Sequence, residues 1–214
     1  MLVKERMTTH PLVVEPDMPI TEAQCYMKDN NIRHLPVVKK GKLVGLLTRE
    51  TLLQALPSPV TTLSVWEMNY LLGKVKVGDV MVKDVITVEE DVPIEEAART
   101  LFENKIGCLL VMRNEALVGI ITDVDLMCTM MELLGARRTG LRITLSVPDV
   151  VGELAKVTGT VAELEGFIVA CGTYPAAEPT KWGVVLKVMY ADKDKLLAAL
   201  GRLEGVEILD VRET

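Results

Sequence analysis

Residues Gly119–Leu126 read Gly-Ile-Ile-Thr-Asp-Val-Asp-Leu, and residues Gly45–Leu52 read Gly-Leu-Leu-Thr-Arg-Glu-Thr-Leu. In both, an apolar run opened by glycine reaches a threonine three positions on. Six positions after the glycine the later stretch has Asp125 and the earlier one Thr51. The likeness extends outward in both directions without a gap at an offset of 74 residues, which sets Met7 on Met81, Val14 on Val88 and Asp17 on Asp91. Pro19-Ile20 falls on Pro93-Ile94, Glu22-Ala23 on Glu96-Ala97, Asn30 on Asn104, and Leu43-Val44-Gly45 on Leu117-Val118-Gly119. A fixed period held over this length marks a tandem duplication.

Each copy reads β-α-β-β-α. In the second, Val85–Val88 is a short β-branched run, and Asp91 with Pro93 signals a helix start. Ile94, Ala97, Ala98, Leu101 and Phe102 then recur as one helical face. Cys108–Met112 and Ala116–Ile121 read as strands joined by a tight turn, matched in the first copy by the loop Lys39–Lys42. A helix follows Thr122 through Leu126, Met127 and Met130. One such unit is too small to bury both faces of its sheet, and two copies packed together would do so. Between them, Pro57 and Pro59 end one helix, and Ser64 with Glu67 forms a capping box for another that carries Trp66 and Tyr70 and closes at Gly73.

After Gly135 the pattern changes. Leu141–Val147 alternates like a strand with one polar face, Pro148–Gly152 turns, and Leu154, Val157, Val161 and Leu164 recur at helical spacing. Strand-like runs at Phe167–Cys171, Trp182–Tyr190 and Val206–Val211, with a helix over Asp192–Leu203, complete a βαββαβ order. The fold class is therefore α+β: two tandem β-α-β-β-α repeats forming one module, at 1–56 and 77–134 around a linker at 57–76, then a βαββαβ domain at 140–214.

The totals set limits. A net charge of −6 and 4% aromatic residues argue against a broad nucleic-acid surface. No apolar run approaches the roughly 18 residues that suggest a membrane span. Cys25, Cys108, Cys128 and Cys171 are far apart and read as reduced, mostly buried thiols of a cytoplasmic protein. There are 2 histidines, no metal-ligand spacing and no P-loop or G-x-G-x-x-G, so no catalytic or metal site is expected.

What G-x-x-T-x-x-D can do follows from its place between strand and helix. Gly119 lets a ligand or a neighbouring backbone approach closely. The helix start offers free N–H groups to a phosphate, and Thr122 Oγ can add a donor. Asp125, one turn on, can accept from both hydroxyls of a ribose. Equally, Thr122 can be an N-cap with Asp125 as a favourable residue of the first turn.

Residues 1–131 resemble a tandem pair of CBS domains, on MTTHPLVVEPDMPITEA and MVKDVITVEEDVPIEEA, on NIRHLPVV and on the two G-x-x-T elements. The resemblance implies an adenine nucleotide (AMP, ADP or ATP) held between the repeats as a regulatory ligand, with no cofactor. It implies phosphate or ribose contact at Thr122 and ribose at Asp125. It implies an adenine frame of backbone at Ile86-Thr87 and Cys108-Leu109-Leu110. Arg33 and His34 align with basic residues that reach phosphates in the regulatory gamma subunit of AMP-activated protein kinase. Thr51 departs from the pattern: losing a charge-assisted bond costs about 1.5–3 kcal/mol, so the site built on Thr48 should be the weaker.

Residues 140–214 resemble an ACT domain, on RITLSVPDVVGELAKVTGTVAE and the βαββαβ order. This implies an amino-acid site at Asp149 and Gly152. The proline common in that family's first turn is absent here, and Asp149 can instead cap the helix. The whole order is similar to the acetoin-utilisation B protein family. It implies a non-catalytic sensor, a homodimer or larger, with no nucleic-acid or membrane partner. The alternative is a scaffold whose ligand sites are vestigial.

Overall fold

The computed structural model describes residues 1–55, 67, 70 and 72–214. It divides into two compact units, Met1–Leu126 and Met127–Thr214. The linker capping box and Trp66 fall outside the described residues. Within that stretch Glu67 and Tyr70 are exposed, and the Lys74 ammonium stands 4.1 Å from the Tyr70 ring centre.

The first unit holds the duplication. Its elements are β1 (Thr8–Thr9), α1 (Ile20–Asp29), β2 (His34–Lys39), β3 (Lys42–Thr48), α2 (Arg49–Ala55), α3 (Val77–Val80), β4 (Thr87–Glu89), α4 (Ile94–Asn104), β5 (Cys108–Arg113), β6 (Ala116–Thr122) and the first turn of α5 (Asp123–Leu133). Helices α1 and α4 both begin after a proline in extended conformation, whose missing N–H costs nothing at a helix start. Each buries an apolar stripe, Ile20, Ala23 and Met27 in one and Ile94, Ala97 and Leu101 in the other. The sequence reading carried that stripe one residue too far. Phe102 lies beyond its edge and is 84% exposed. Both β-hairpins turn through two residues of positive φ, Lys40-Gly41 and Asn114-Glu115, which matches the twist of the strands they join. Both then carry a register shift at the same position, between Val37 and Val38 and between Val111 and Met112.

The two copies exchange their openings. Strand β1, from the first copy, pairs antiparallel with β6 of the second, with Thr9 opposite Gly119. Reciprocally, Val82 and Leu46 bond to each other through both backbone pairs at 2.9 Å. Val3 is buried in the second copy's core beside Ile94 and Leu109, and its equivalent Val77 is buried in the first copy's core beside Ile20 and Leu35. A third cluster, Leu46, Cys108, Leu110 and Ile120 with Leu43, Val85 and Leu117, closes the gap between the two sheets. That is how each small sheet covers its second face.

The second unit contains the rest of α5, then β7 (Leu141–Pro148), α6 (Glu153–Glu163), β8 (Phe167–Pro175), β9 (Lys181–Met189), α7 (Lys193–Leu200) and β10 (Glu207–Glu213). The sheet is antiparallel in the order β10-β7-β9-β8, a βαββαβ arrangement with α6 and α7 over a core of Ile143, Leu145, Val157, Val161, Leu186, Leu196 and neighbours. Asp192 caps α7 by accepting from the Lys195 N–H at 3.0 Å. Two details depart from the sequence reading. The inner stripe of α6 starts one residue earlier than expected: Val157 and Val161 are buried, Glu153 joins them, and Leu154 is 42% exposed. The polar face of β7 is not solvated: Thr144 and Ser146 are buried, as is Lys187 on β9, whose ammonium donates to the Gly135 carbonyl at 2.9 Å. The cysteines also differ from expectation, since Cys25 and Cys171 are exposed and only Cys108 is fully buried.

Candidate functional site

Strand β6 ends at Thr122 and α5 begins at Asp123, so the threonine stands at the N-cap and Asp125 in the first turn. Asp125 Oδ2 accepts from the Thr122 backbone N–H and from its hydroxyl, each at 2.8 Å. The Asp125 N–H points back to Thr122 Oγ1 at 3.4 Å. This is a reciprocal cap of the kind that satisfies orphan donors at a helix start. The first copy builds the same cap from hydroxyls. Thr51 Oγ1 accepts from the Thr48 N–H at 3.1 Å, donates to the Thr48 carbonyl at 2.9 Å, and the Thr51 N–H donates to Thr48 Oγ1 at 3.1 Å. The exchange of Asp for Thr therefore keeps the cap and removes a charged, two-oxygen group.

Gly119 and Gly45 have a structural task. A side chain on Gly119 would run into Met7 Sδ and stand 3.1 Å from the Thr8 carbonyl oxygen. One on Gly45 would stand 2.5 Å from Met81 Sδ and 2.8 Å from the Val82 carbonyl oxygen. Of the two partners the sequence allowed for Gly119, ligand or backbone, it is the other copy's opening that comes close.

Thr122, Asp123 and Asp125 line a cleft of about 1010 Å³ whose other walls come from the first copy. Thr8, His10, Pro11 and Leu12 form one side; Lys28, Arg33, His34 and Arg49 give it a basic side. Arg33 and His34, expected near phosphate, are thus brought together with Thr122 and Asp125. The expected adenine frame is not. Ile86, Thr87, Cys108, Leu109 and Leu110 are absent from the cleft lining. Leu109 is fully buried in the second copy's core, with Ile86 packed against it. Cys108 and Leu110 are buried between the sheets. Thr48 is held in its own cap on α2. The cause is the exchanged openings: the segment facing Asp125 is Thr8–Leu12, not its equivalent in the second copy. Shifted by the repeat offset, Ile86 becomes Leu12 and Cys108 becomes His34, and both of these line the cleft. The offset was legible in the sequence; the swap of partners was not.

His34 is half-buried, and its ring lies against Gly107, where an added Cβ would stand 3.4 Å from Nε2. Burial and the neighbouring Arg33 charge hold its pKa below the usual 6.5, with Asp123 pulling the other way. Its counterpart Cys108 has its thiol pushed up to about 12 by burial and by Asp123, so it stays protonated and unreactive.

In the second unit, Asp149 and Gly152 are exposed. Gly152, at φ +96°, is the N-cap of α6, and no atom lies within 4 Å of where its side chain would be. No side chain caps that helix, so Asp149 does not serve as its cap; its N–H donates to the Thr180 carbonyl at 2.9 Å. Among the described residues no group of His, Cys, Asp and Glu is placed to hold a metal ion, and no helix is long and apolar enough to cross a membrane.

The CBS domain model matches residues 3–58 and 77–132, more than half of the chain. The chain belongs to the CBS domain family. A candidate acetoin utilization protein (AcuB) from Vibrio cholerae is 31% identical, with a TM-score of 0.54 over 64% of this chain and 95% of that one. The CBS domain pair of protein MJ0100, solved with 5′-methylthioadenosine and S-adenosyl-L-methionine, is 27% identical, with a TM-score of 0.52 over 64% of this chain and 98% of that one. CBSX2, solved with AMP, is 28% identical, with a TM-score of 0.53 over 62% and 97%. Inosine-5′-monophosphate dehydrogenase of Thermoplasma acidophilum is 38% identical over 114 residues, 53% of this chain. The chain spans only 20% of that relative's length.

Proposed function

We propose that this CBS protein is a non-catalytic sensor that binds an adenine nucleotide in the cleft between its two copies. The observation that carries the reading is the meeting, in one cleft, of the Asp125 carboxylate and the Thr122 hydroxyl with Lys28, Arg33, His34 and Arg49. A carboxylate suits a ribose diol, and clustered cations beside a helix start suit phosphate. Solved CBS pairs holding AMP, methylthioadenosine and S-adenosylmethionine give the adenosine half its precedent. The matching position on the Thr48 side lacks both the carboxylate and the basic pair, having Thr51, Gly107 and Cys108, so one nucleotide per chain is expected.

In this reading the repeats occupy 1–56 and 77–134, and residues 140–214 form an ACT domain that adds amino-acid sensing at Asp149 and Gly152 or joins chains into a cytoplasmic homodimer. Nucleotide binding would act by favouring one of two arrangements of the assembly. A scaffold role is the second reading, favoured by the Thr122–Asp125 cap, which gives the carboxylate a purely structural task.

Thermal melting tests the two. Ligand at 100 times its dissociation constant adds about 2.7 kcal/mol, which raises the midpoint of a chain this size by roughly 5–10 °C. The sensor reading expects that rise with AMP, ADP or ATP and its loss in Asp125→Ala. A panel of adenine ligands and amino acids that leaves the midpoint unmoved favours the scaffold.

A further inference from the structure

The Arg33-His34 pair has no counterpart in the second copy, where Gly107-Cys108 stands. The His34 ring reaches Gly107 of the other copy, where an added Cβ would stand 3.4 Å from Nε2, at ordinary contact distance. The same two segments are tied to the helices that flank the cleft: the Asp123 N–H donates to the Gly107 carbonyl at 3.1 Å, and the Arg49 N–H to the Arg33 carbonyl at 2.9 Å. His34 is thus seated where both helix starts converge, and its ring is the titratable cation-former of the basic wall.

The charges around it are of both signs. Arg33 precedes it, Lys28 on α1 and Arg49 on α2 share its wall, and His10 lines the same cleft. Asp123 and Asp125 face it from α5, and the neutral Cys108 thiol follows Gly107. In the ligand-free chain, burial and Arg33 outweigh Asp123 and keep the ring neutral at pH 7. A phosphate monoester brings about −1.5 to −2 charges at that pH, and an opposite charge within a few ångströms favours the protonated ring.

On the reading that the cleft takes a phosphorylated adenosine, we propose that His34 is a specificity-determining residue. It accepts one proton from solvent as the phosphate enters, so the preference for phosphorylated over unphosphorylated nucleoside strengthens as pH falls. A fixed cation at this position would bind phosphate with no such dependence. The ligand's own second ionisation, near pH 6, acts in the opposite sense, so the effect is read as a difference between proteins.

The experiment is calorimetric titration of the full chain with AMP and with adenosine, from about pH 6 to about pH 8, in buffers of differing ionisation enthalpy. The wild-type chain should take up a proton with AMP and none with adenosine. His34→Gln should lose that uptake. As pH falls, the wild-type preference for AMP over adenosine should rise relative to the variant's, by at most about tenfold per pH unit. His34→Lys should keep the preference for AMP and lose the uptake, which a merely structural role for the ring would not produce. Melting of each variant without ligand checks its fold. Equal proton uptake by wild type and both variants overturns the proposal and leaves the nucleotide reading standing. Failure of AMP to bind the wild-type chain at any pH overturns both.

Discussion

Asp125 Oδ2 is shared between the backbone N–H and the hydroxyl of Thr122, 2.8 Å from each. One carboxylate oxygen thereby anchors α5, and the residue carries its second oxygen on a fixed helix turn. In the first copy Thr51 does the anchoring with a hydroxyl that both accepts and donates.

Asp125→Thr should separate cap from ligand grip. It copies the Thr48–Thr51 arrangement, so its melting midpoint without ligand should stay near that of the wild type. Asp125→Ala should instead lose about 1 kcal/mol, the usual cost of deleting a capping side chain. Both should lose the stabilisation by AMP. Nucleotide stabilisation that survives Asp125→Thr would leave the carboxylate no role beyond the cap.

Gly119→Ala and Gly45→Ala test the exchanged openings. Each new methyl would press on the other copy's methionine and carbonyl, and overpacking of this kind costs about 1–3 kcal/mol. Gly45→Ala should be the worse, because its backbone obstacle lies at 2.8 Å against 3.1 Å for Gly119→Ala. Adding Met7→Ala should recover part of the loss in Gly119→Ala and none in Gly45→Ala, read from denaturant midpoints in a double-mutant cycle.

Lys187→Met should destabilise the second unit. The buried ammonium satisfies the Gly135 carbonyl at 2.9 Å, and a carbonyl left buried and unpaired costs about 1–3 kcal/mol. Hydrogen exchange should show the loss in β7 and β9, with little change in β2 and β3.

The ligand-free protein should lose stability as pH falls from about 6.5. The folded chain holds the His34 pKa below that value. The unfolded chain therefore takes the proton first, and His34 contributes its stability above pH 6.5 and loses it as pH drops through the folded value. The slope of the melting midpoint over this range should be flatter in His34→Gln.

Local pattern made most of the fold legible. The repeat offset, the proline-led helices and the hairpin loops are all short-range signals, and each appears in the structure where the sequence put it. Where the structure differs, the residues concerned meet partners distant in the chain. Phe102 and Leu154 were read as inward because periodicity fixes a stripe's direction only to within about one residue. Ile86, Thr87 and Cys108–Leu110, expected to frame the adenine, do not line the Asp125 cleft, and nothing in a repeat tells which copy's opening faces which helix. Thr122 and Asp125 are legible because a strand-to-helix junction is itself a local feature; Arg33 and His34 enter through the family resemblance, and all four line one cleft.

The exchanged openings also govern what the duplication can become. Cutting the chain between the copies would not release two independent modules, because each half would leave holding an arm that belongs in the other's core. Two identical single-copy chains could satisfy the same pairings by trading arms about a two-fold axis, which is the geometry of a closed, self-complementary dimer. The present chain makes both pairings within one covalent chain. Fusion frees the two halves to diverge, and one half could turn Asp into Thr and the other Arg-His into Gly-Cys while the pairing that joins them stayed the same.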